Sequence, residues 1–219
     1  MPQVRVSAGP IDYRDTGGDE PVVVFLHGVL IDGHLFDFVV DALRTEYRCI
    51  VPTLPLGAHL YAMDPDADLS LRGFGRMVGE FLECLDLCDV TVVQNDHAAA
   101  IALASDRPAR VARLVLSSCE AFENYPPGLP GRNLALLARV PGGLYLAMQL
   151  MRIRRLRRLS VSLGWMTKRP IPDRLTDAWF RPAQTQTAVR RDLIKYAAGL
   201  AGVTCKNWLR SCAGSIAPR

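Results

Sequence analysis

Residues 3–16 alternate apolar and polar positions through Val4, Val6, Ile11 and Tyr13, with a Gly-Pro break at 9–10. This period of two predicts an antiparallel hairpin at a sheet edge. Pro21-Val-Val-Val-Phe-Leu-His-Gly28 is instead a continuous apolar run ending in a polar turn, the pattern of a strand buried on both faces. Leu35, Val39, Val40 and Leu43 follow at helical spacing, and Cys49-Ile-Val-Pro52 is a second buried run. Ser70 is placed to cap a helix whose apolar positions are Leu71, Phe74, Met77, Val78, Phe81, Leu82 and Leu85. Val90–Val93 predicts another strand and Ala98–Ala104 another helix, ended by Asp106-Arg-Pro108. Val111–Ser117 predicts the last strand of the series. The sum is β-β-β-α-β-α-β-α-β, an α/β fold with a mostly parallel sheet covered by helices on both faces.

Charge divides this chain into two parts. Residues 1–120 carry 9 Lys/Arg against 18 Asp/Glu, and residues 121–219 carry 17 against 4. The change predicts a domain boundary near residue 120. Within the basic part, Ala147, Met151, Ile153, Leu156 and Leu159 predict one amphipathic helix whose polar face carries Arg152, Arg154, Arg155, Arg157 and Arg158. No aromatic residues interleave that cluster, so it reads as a solvated face packed on the acidic half and not as a nucleic-acid site. The apolar stretch 134–151 is broken by Arg139 and Pro141-Gly142-Gly143, which argues against a membrane span. The N-terminus has no signal-peptide pattern, so the expected compartment is the cytoplasm. Cys84 and Cys88, four apart on the predicted helix, read as small buried groups and not as metal ligands. No metal or cofactor is expected, and a nucleotide-binding reading has no GxGxxG or GxxxxGK[ST] motif on the βα turns behind it.

In a sheet of this kind ligands sit outside the carboxyl ends of the strands. The turn after the Val90 strand reads Gln94-Asn95-Asp96-His97-Ala98-Ala99. A sharp strand-turn-helix holds its central side chain, here Asp96, clear of both elements, where it can attack a substrate. Local sequence alone favours a plainer role, Asp96 capping the helix that starts at His97. The context provided by Leu26-His27-Gly28-Val29, two βα units earlier, shifts that balance.

With these two turns and Arg113-Leu-Val-Leu-Ser-Ser-Cys-Glu120 after them, residues 20–120 resemble the α/β-hydrolase superfamily, in its branch with an aspartate nucleophile. Haloalkane and haloacetate dehalogenases and epoxide hydrolases form that branch. The resemblance implies that Asp96 attacks an electrophilic sp³ carbon and forms an alkyl ester. It implies an oxyanion hole from the backbone N–H groups of Val29 and His97. Glu120 stands where some members carry the acid that orients the catalytic histidine; a solvated hinge residue is the equal alternative. Residues 121–200 resemble the superfamily's helical cap, in which Trp165, Trp179, Tyr145 and Tyr196 are either cavity lining or core. Indole N–H groups suit a halide.

The family's histidine follows the final strand, yet all four histidines, His27, His34, His59 and His97, lie in the first half. Residues 201–219 show no clean period and read as an irregular tail of a C-terminally truncated member. The expected function is therefore a hydrolase of small apolar electrophiles that is impaired in turnover; the alternative is an inactive remnant or interaction protein. A bare Val111–Ser117 edge predicts association with a second copy.

Overall fold

The computed structural model describes residues 1–96, 103, 106, 107, 109–118, 129–159, 162–165 and 167–200, with only the backbone for 129, 130, 165 and 200. Six strands form one sheet: β1 (Gln3–Val6), β2 (Gly9–Asp15), β3 (Val22–Leu26), β4 (Arg48–Pro52), β5 (Val90–Asn95) and β6 (Val111–Ser117). The strand order is β1-β2-β4-β3-β5-β6. β1 and β2 form the predicted hairpin, and β2 joins β4 antiparallel. β4, β3, β5 and β6 run parallel, with Leu26 opposite Gln94 and Asn95 opposite Ser117.

β3 is apolar throughout because each of its faces is covered. Val24 and Leu26 pack with Ile50, Val90 and Val92 against Phe74, Met77, Val78, Phe81 and Leu82. The alternate residues Val23 and Phe25 pack with Cys49 and Val51 against Phe36, Val40 and Leu43. The first set of partners comes from α2 (Leu71–Cys84), whose apolar positions recur at helical spacing. Ser70 caps it as predicted, its hydroxyl accepting the Gly73 N–H at 3.1 Å. The second set comes from α1 (Asp37–Leu43) and the 3-10 helix Gly33–Phe36 before it. Part of that helix's apolar pattern faces out, and Phe38 is 91% exposed. α2 ends at Cys84, so Cys88 lies beyond it; both thiols are exposed, contrary to the buried pair expected from their spacing.

Five helices follow: α3 (Leu129–Arg139), α4 (Gly143–Leu150), α5 (Arg154–Arg157), α6 (Asp173–Thr185) and α7 (Thr187–Leu200). Leu144 and Met148 of α4, Leu163, Phe180 and Ala183 of α6, and Val189 and Leu193 of α7 form their own cluster. It rests on Val29 and Leu30, in the turn after β3. The single helix expected over 147–159 is broken, because Ile153 is extended and α5 is one turn. Arg157 accounts for the break. It turns inward, donating to the Met151 carbonyl at 2.5 Å and to Thr176 Oγ1 at 2.9 Å. The basic face is also differently placed from the expectation. Arg154 pairs with Asp177 at 2.7 Å and Arg158 with Asp173 at 3.1 Å, both on α6, not with the acidic half.

Candidate active site

The carboxyl ends of three parallel strands carry non-glycine residues in the left-handed region. Leu30 after β3 has φ 56°, Asp96 after β5 has φ 76° and Ser118 after β6 has φ 50°. Such a conformation costs about 1–3 kcal/mol per residue and persists where the surroundings enforce it. Asp86 and Asp89 share it in the loop before β5, so positive φ alone does not mark Asp96. What distinguishes Asp96 is its partner. The Val29 N–H donates to its Oδ2 at 2.9 Å, across 67 residues of sequence. Burial pushes the Asp96 carboxyl above the ordinary carboxylate range, and the Val29 N–H opposes this only in part.

The loop that supplies Val29 is held from below. His27 is fully buried. Its Nε2 accepts the Leu54 N–H at 2.8 Å, which fixes the proton on Nδ1, and Nδ1–H then donates to the Gly28 carbonyl at 2.9 Å. Burial is the main cause that depresses its pKa to about 4, so the ring is neutral at pH 7. The next turn of chain is tied by the Leu30 N–H to the Leu56 carbonyl at 2.9 Å. At Gly28 a side chain has no room: a Cβ would stand 2.5 Å from both Asp96 Cβ and Oδ2. Close approach of the two turns is what demands glycine there.

Of the other residues singled out in sequence, Trp179 sits on α6, 2% exposed, against Ile31 and Ala58. Its indole N–H donates to Asp32 Oδ1 at 2.7 Å, so this donor is engaged in joining the helical layer to the turn after β3. Trp165 ends the 3-10 helix Leu163–Trp165, and its side chain is outside the described residues. His97 and Glu120 also lie outside them. Tyr196 is in the main core, edge-on to Phe74 at 5.4 Å, and Tyr145 is half exposed.

The structure also brings together a pair that pattern reading missed. His59, in the loop after β4, and Asp192, on α7, are both buried and meet at 3.3 Å. His59 Nδ1 accepts the Gly57 N–H at 3.2 Å, so Nε2–H faces Asp192 and neither ring nitrogen is open to a water. The two are 133 residues apart, and no local signal connects them. His59 stands as a lone polar residue after Leu56-Gly-Ala, while Asp192 follows two arginines and carries no such hint.

Strand order, two covered faces and a carboxylate on a left-handed turn above β5 define the α/β-hydrolase fold, and solved structures of that fold superpose on the chain. A haloalkane dehalogenase of Mesorhizobium japonicum is 30% identical over 148 residues, 64% of this chain and 47% of that protein. The magnesium-chelatase 30 kDa subunit of Rhodobacter capsulatus is 30% identical over 140 residues, 62% of this chain and 48% of its own length. The chain thus spans about half the length of the curated relatives it matches. Among solved structures, the ancestral haloalkane dehalogenase AncHLD2 superposes with a TM-score of 0.73 at 21% identity, covering 99% of this chain and 77% of that one. Epoxide hydrolases from hot-environment metagenomes superpose with a TM-score of 0.69 at 16% identity, covering 90% and 69%. No protein-family profile matches the chain.

Proposed function

We propose that this chain is a hydrolase of the aspartate-nucleophile type, acting on a small apolar haloalkane, haloacid or epoxide. The observation that carries the reading is the Val29 N–H on Asp96 Oδ2. It leaves Oδ1 as the attacking atom. Oδ1 forms a C–O bond to the electrophilic carbon, and the electron pair of the broken bond leaves with the halide or stays on the epoxide oxygen, which then takes a proton. Oδ2 becomes the ester carbonyl, already facing the donor that stabilises an oxyanion when water adds at Cγ. His97 N–H, and Glu120 as orienting acid, complete the reading taken from the resemblance. Among the described residues, no base for water activation is assigned. Of the histidines among them, His27 and His59 have both ring nitrogens committed and His34 Nδ1 lies 2.9 Å from Asp32. The ester is therefore expected to accumulate.

Intact-mass measurement after incubation with a reactive haloalkane or epoxide checks this. A single adduct is expected, absent in Asp96→Ala. Only ionised Asp96 attacks, and its pKa is raised by burial, so adduct formation rises with pH through a value above the ordinary carboxylate range. An adduct that persists in Asp96→Ala, or none in the parent chain, refutes the reading. The second reading, a non-catalytic interaction protein, draws on the relative that is a chelatase subunit.

Self-association belongs to the same proposal. Among the described residues β6 ends the sheet, and its Val115 and Leu116 are 47% and 38% exposed. An apolar parallel edge of this length pairs readily with another chain. Sedimentation velocity is expected to show a concentration-dependent dimer, and a sharp monomer at high concentration rules this out.

A further inference from the structure

Between Glu123 and Asp173 the chain has no acidic residue and nine basic ones. Of these, Arg157 is buried, and Arg154 and Arg158 pair with α6 aspartates. The remaining six, Arg132, Arg139, Arg152, Arg155, Lys168 and Arg169, are exposed and have no acidic partner among the described residues. The same segment carries large apolar side chains on its outer surface: Leu136 (61% exposed), Val140, Tyr145, Leu146 (59%), Leu150 and Ile153. Their placement is regular. On α3, Arg132, Leu136, Arg139 and Val140 fall at i, i+4, i+7 and i+8, one face of the helix and its end. On α4, Leu144 and Met148 enter the cluster that packs on Val29 and Leu30, while Tyr145, Leu146 and Leu150 are exposed. Cationic and aliphatic groups thus share the outer surface of the helical layer.

We propose that this surface docks on an anionic lipid bilayer, its apolar side chains entering the interface and its arginines meeting lipid phosphates. Charge complementarity selects that partner. A protein surface or a nucleic acid would use the charges, but a polyanionic groove has no use for five exposed aliphatic side chains, and the one ring among the six apolar groups, Tyr145, already lies under the Arg190 guanidinium at 5.1 Å. A cationic-apolar helix face that lies in the interface plane is the physical form of monotopic binding. No helix among the described residues is long and apolar enough to cross a membrane, so the contact is peripheral. Val29, whose N–H donates to Asp96, packs on the cluster formed by the buried side chains of the same helical layer. Docking would therefore hold the site close to a reservoir of apolar molecules, whether or not the Asp96 chemistry is right.

Flotation with vesicles tests this. The chain is expected to float with vesicles of equal parts phosphatidylcholine and phosphatidylglycerol, to stay behind with phosphatidylcholine alone, and to be released by high salt. Arg152→Glu with Arg155→Glu is expected to lower partitioning by at least about tenfold, because each surface charge changes it by roughly fivefold. Leu146→Ser with Leu150→Ser is expected to reduce it while circular dichroism stays unchanged. Equal binding to both vesicle types, binding indifferent to the charge variant, or capture by duplex DNA with the same residue dependence in place of vesicles would each overturn the proposal.

Discussion

Asp192→Ala is expected to lower the free energy of unfolding by about 3–5 kcal/mol, the loss typical of breaking a buried charged pair from one side. The carboxylate is fully buried and carries four bonds. Oδ2 accepts the Met63 N–H at 2.8 Å and the His59 Nε2–H at 3.3 Å; Oδ1 accepts Arg191 Nε at 2.9 Å and its Nη2 at 2.7 Å. Alanine leaves the His59 and Met63 donors buried without an acceptor, each costing about 1–3 kcal/mol. The loss falls at one seam. Arg191 also reaches the Met63 carbonyl at 2.5 Å and Lys195 the Ala67 carbonyl at 3.1 Å, so α7 is tied to the loop after β4 along its length. Burial pushes the Asp192 carboxyl up, but the bonds from His59, Met63 and Arg191 outweigh it and hold the pKa below the ordinary range. A lowered carboxylate pKa gives stability that is present above the ordinary value and lost as pH falls through the lowered one. Urea unfolding of parent and variant should therefore differ at neutral pH and converge in acid. A difference below about 1 kcal/mol at neutral pH would show that the seam does not depend on this group. Asp96 runs the other way: its raised pKa favours the protonated form, and that contribution fades as pH rises.

The difference between these two aspartates explains what the sequence could disclose. The turn at Asp96 was legible because its signal is local: a strand of apolar residues, a turn, small residues after it. Its partner turn was legible too, since His27-Gly28 closes another uniform apolar run. The parallel strands and α2 with its Ser70 cap follow from periodicity, and the described structure has them at nearly the same residues. Asp192 was illegible because its bonds reach back to residues 59 and 63, and nothing in Arg190-Arg-Asp-Leu-Ile194 distinguishes it from a solvated helix acid. Arg157 failed for the related reason that five arginines in a row of seven residues look alike, while only one turns inward onto Thr176. Trp179 was found as an aromatic, but its task of binding Asp32 depends on a contact across 147 residues. Periodicity reports which face is buried; it does not report which polar group a fold will bury on purpose.

Gly28→Ala is expected to slow Asp96 alkylation by about 10²-fold, the scale set by a displacement near 1 Å of the attacking carboxylate. The added methyl would stand 2.5 Å from Asp96 Cβ and 2.5 Å from Oδ2, and neither end of that contact is a flexible tip. Asp96 is held by its left-handed turn, and Gly28 by the buried His27 ring on its carbonyl. One turn must move, and the Val29 N–H to Oδ2 bond spans the gap that widens. Overpacking of this kind also lowers stability, by about 1–3 kcal/mol. Two measurements separate the effects: the rate of mass-adduct formation, and urea unfolding followed in the same preparation. Val29→Ala is the matched control, because it trims the neighbouring side chain and keeps the backbone donor; its alkylation rate is expected to stay within about threefold of the parent. If Gly28→Ala folds and alkylates as fast as the parent chain, the juxtaposition of the two turns is not what activates Asp96. If Val29→Ala is as slow as Gly28→Ala, the side chain and not the N–H is what matters at residue 29. The expected split, a slow Gly28→Ala beside an ordinary Val29→Ala, assigns the effect to how the two turns place the carboxylate and to the absence of a single methyl group facing it.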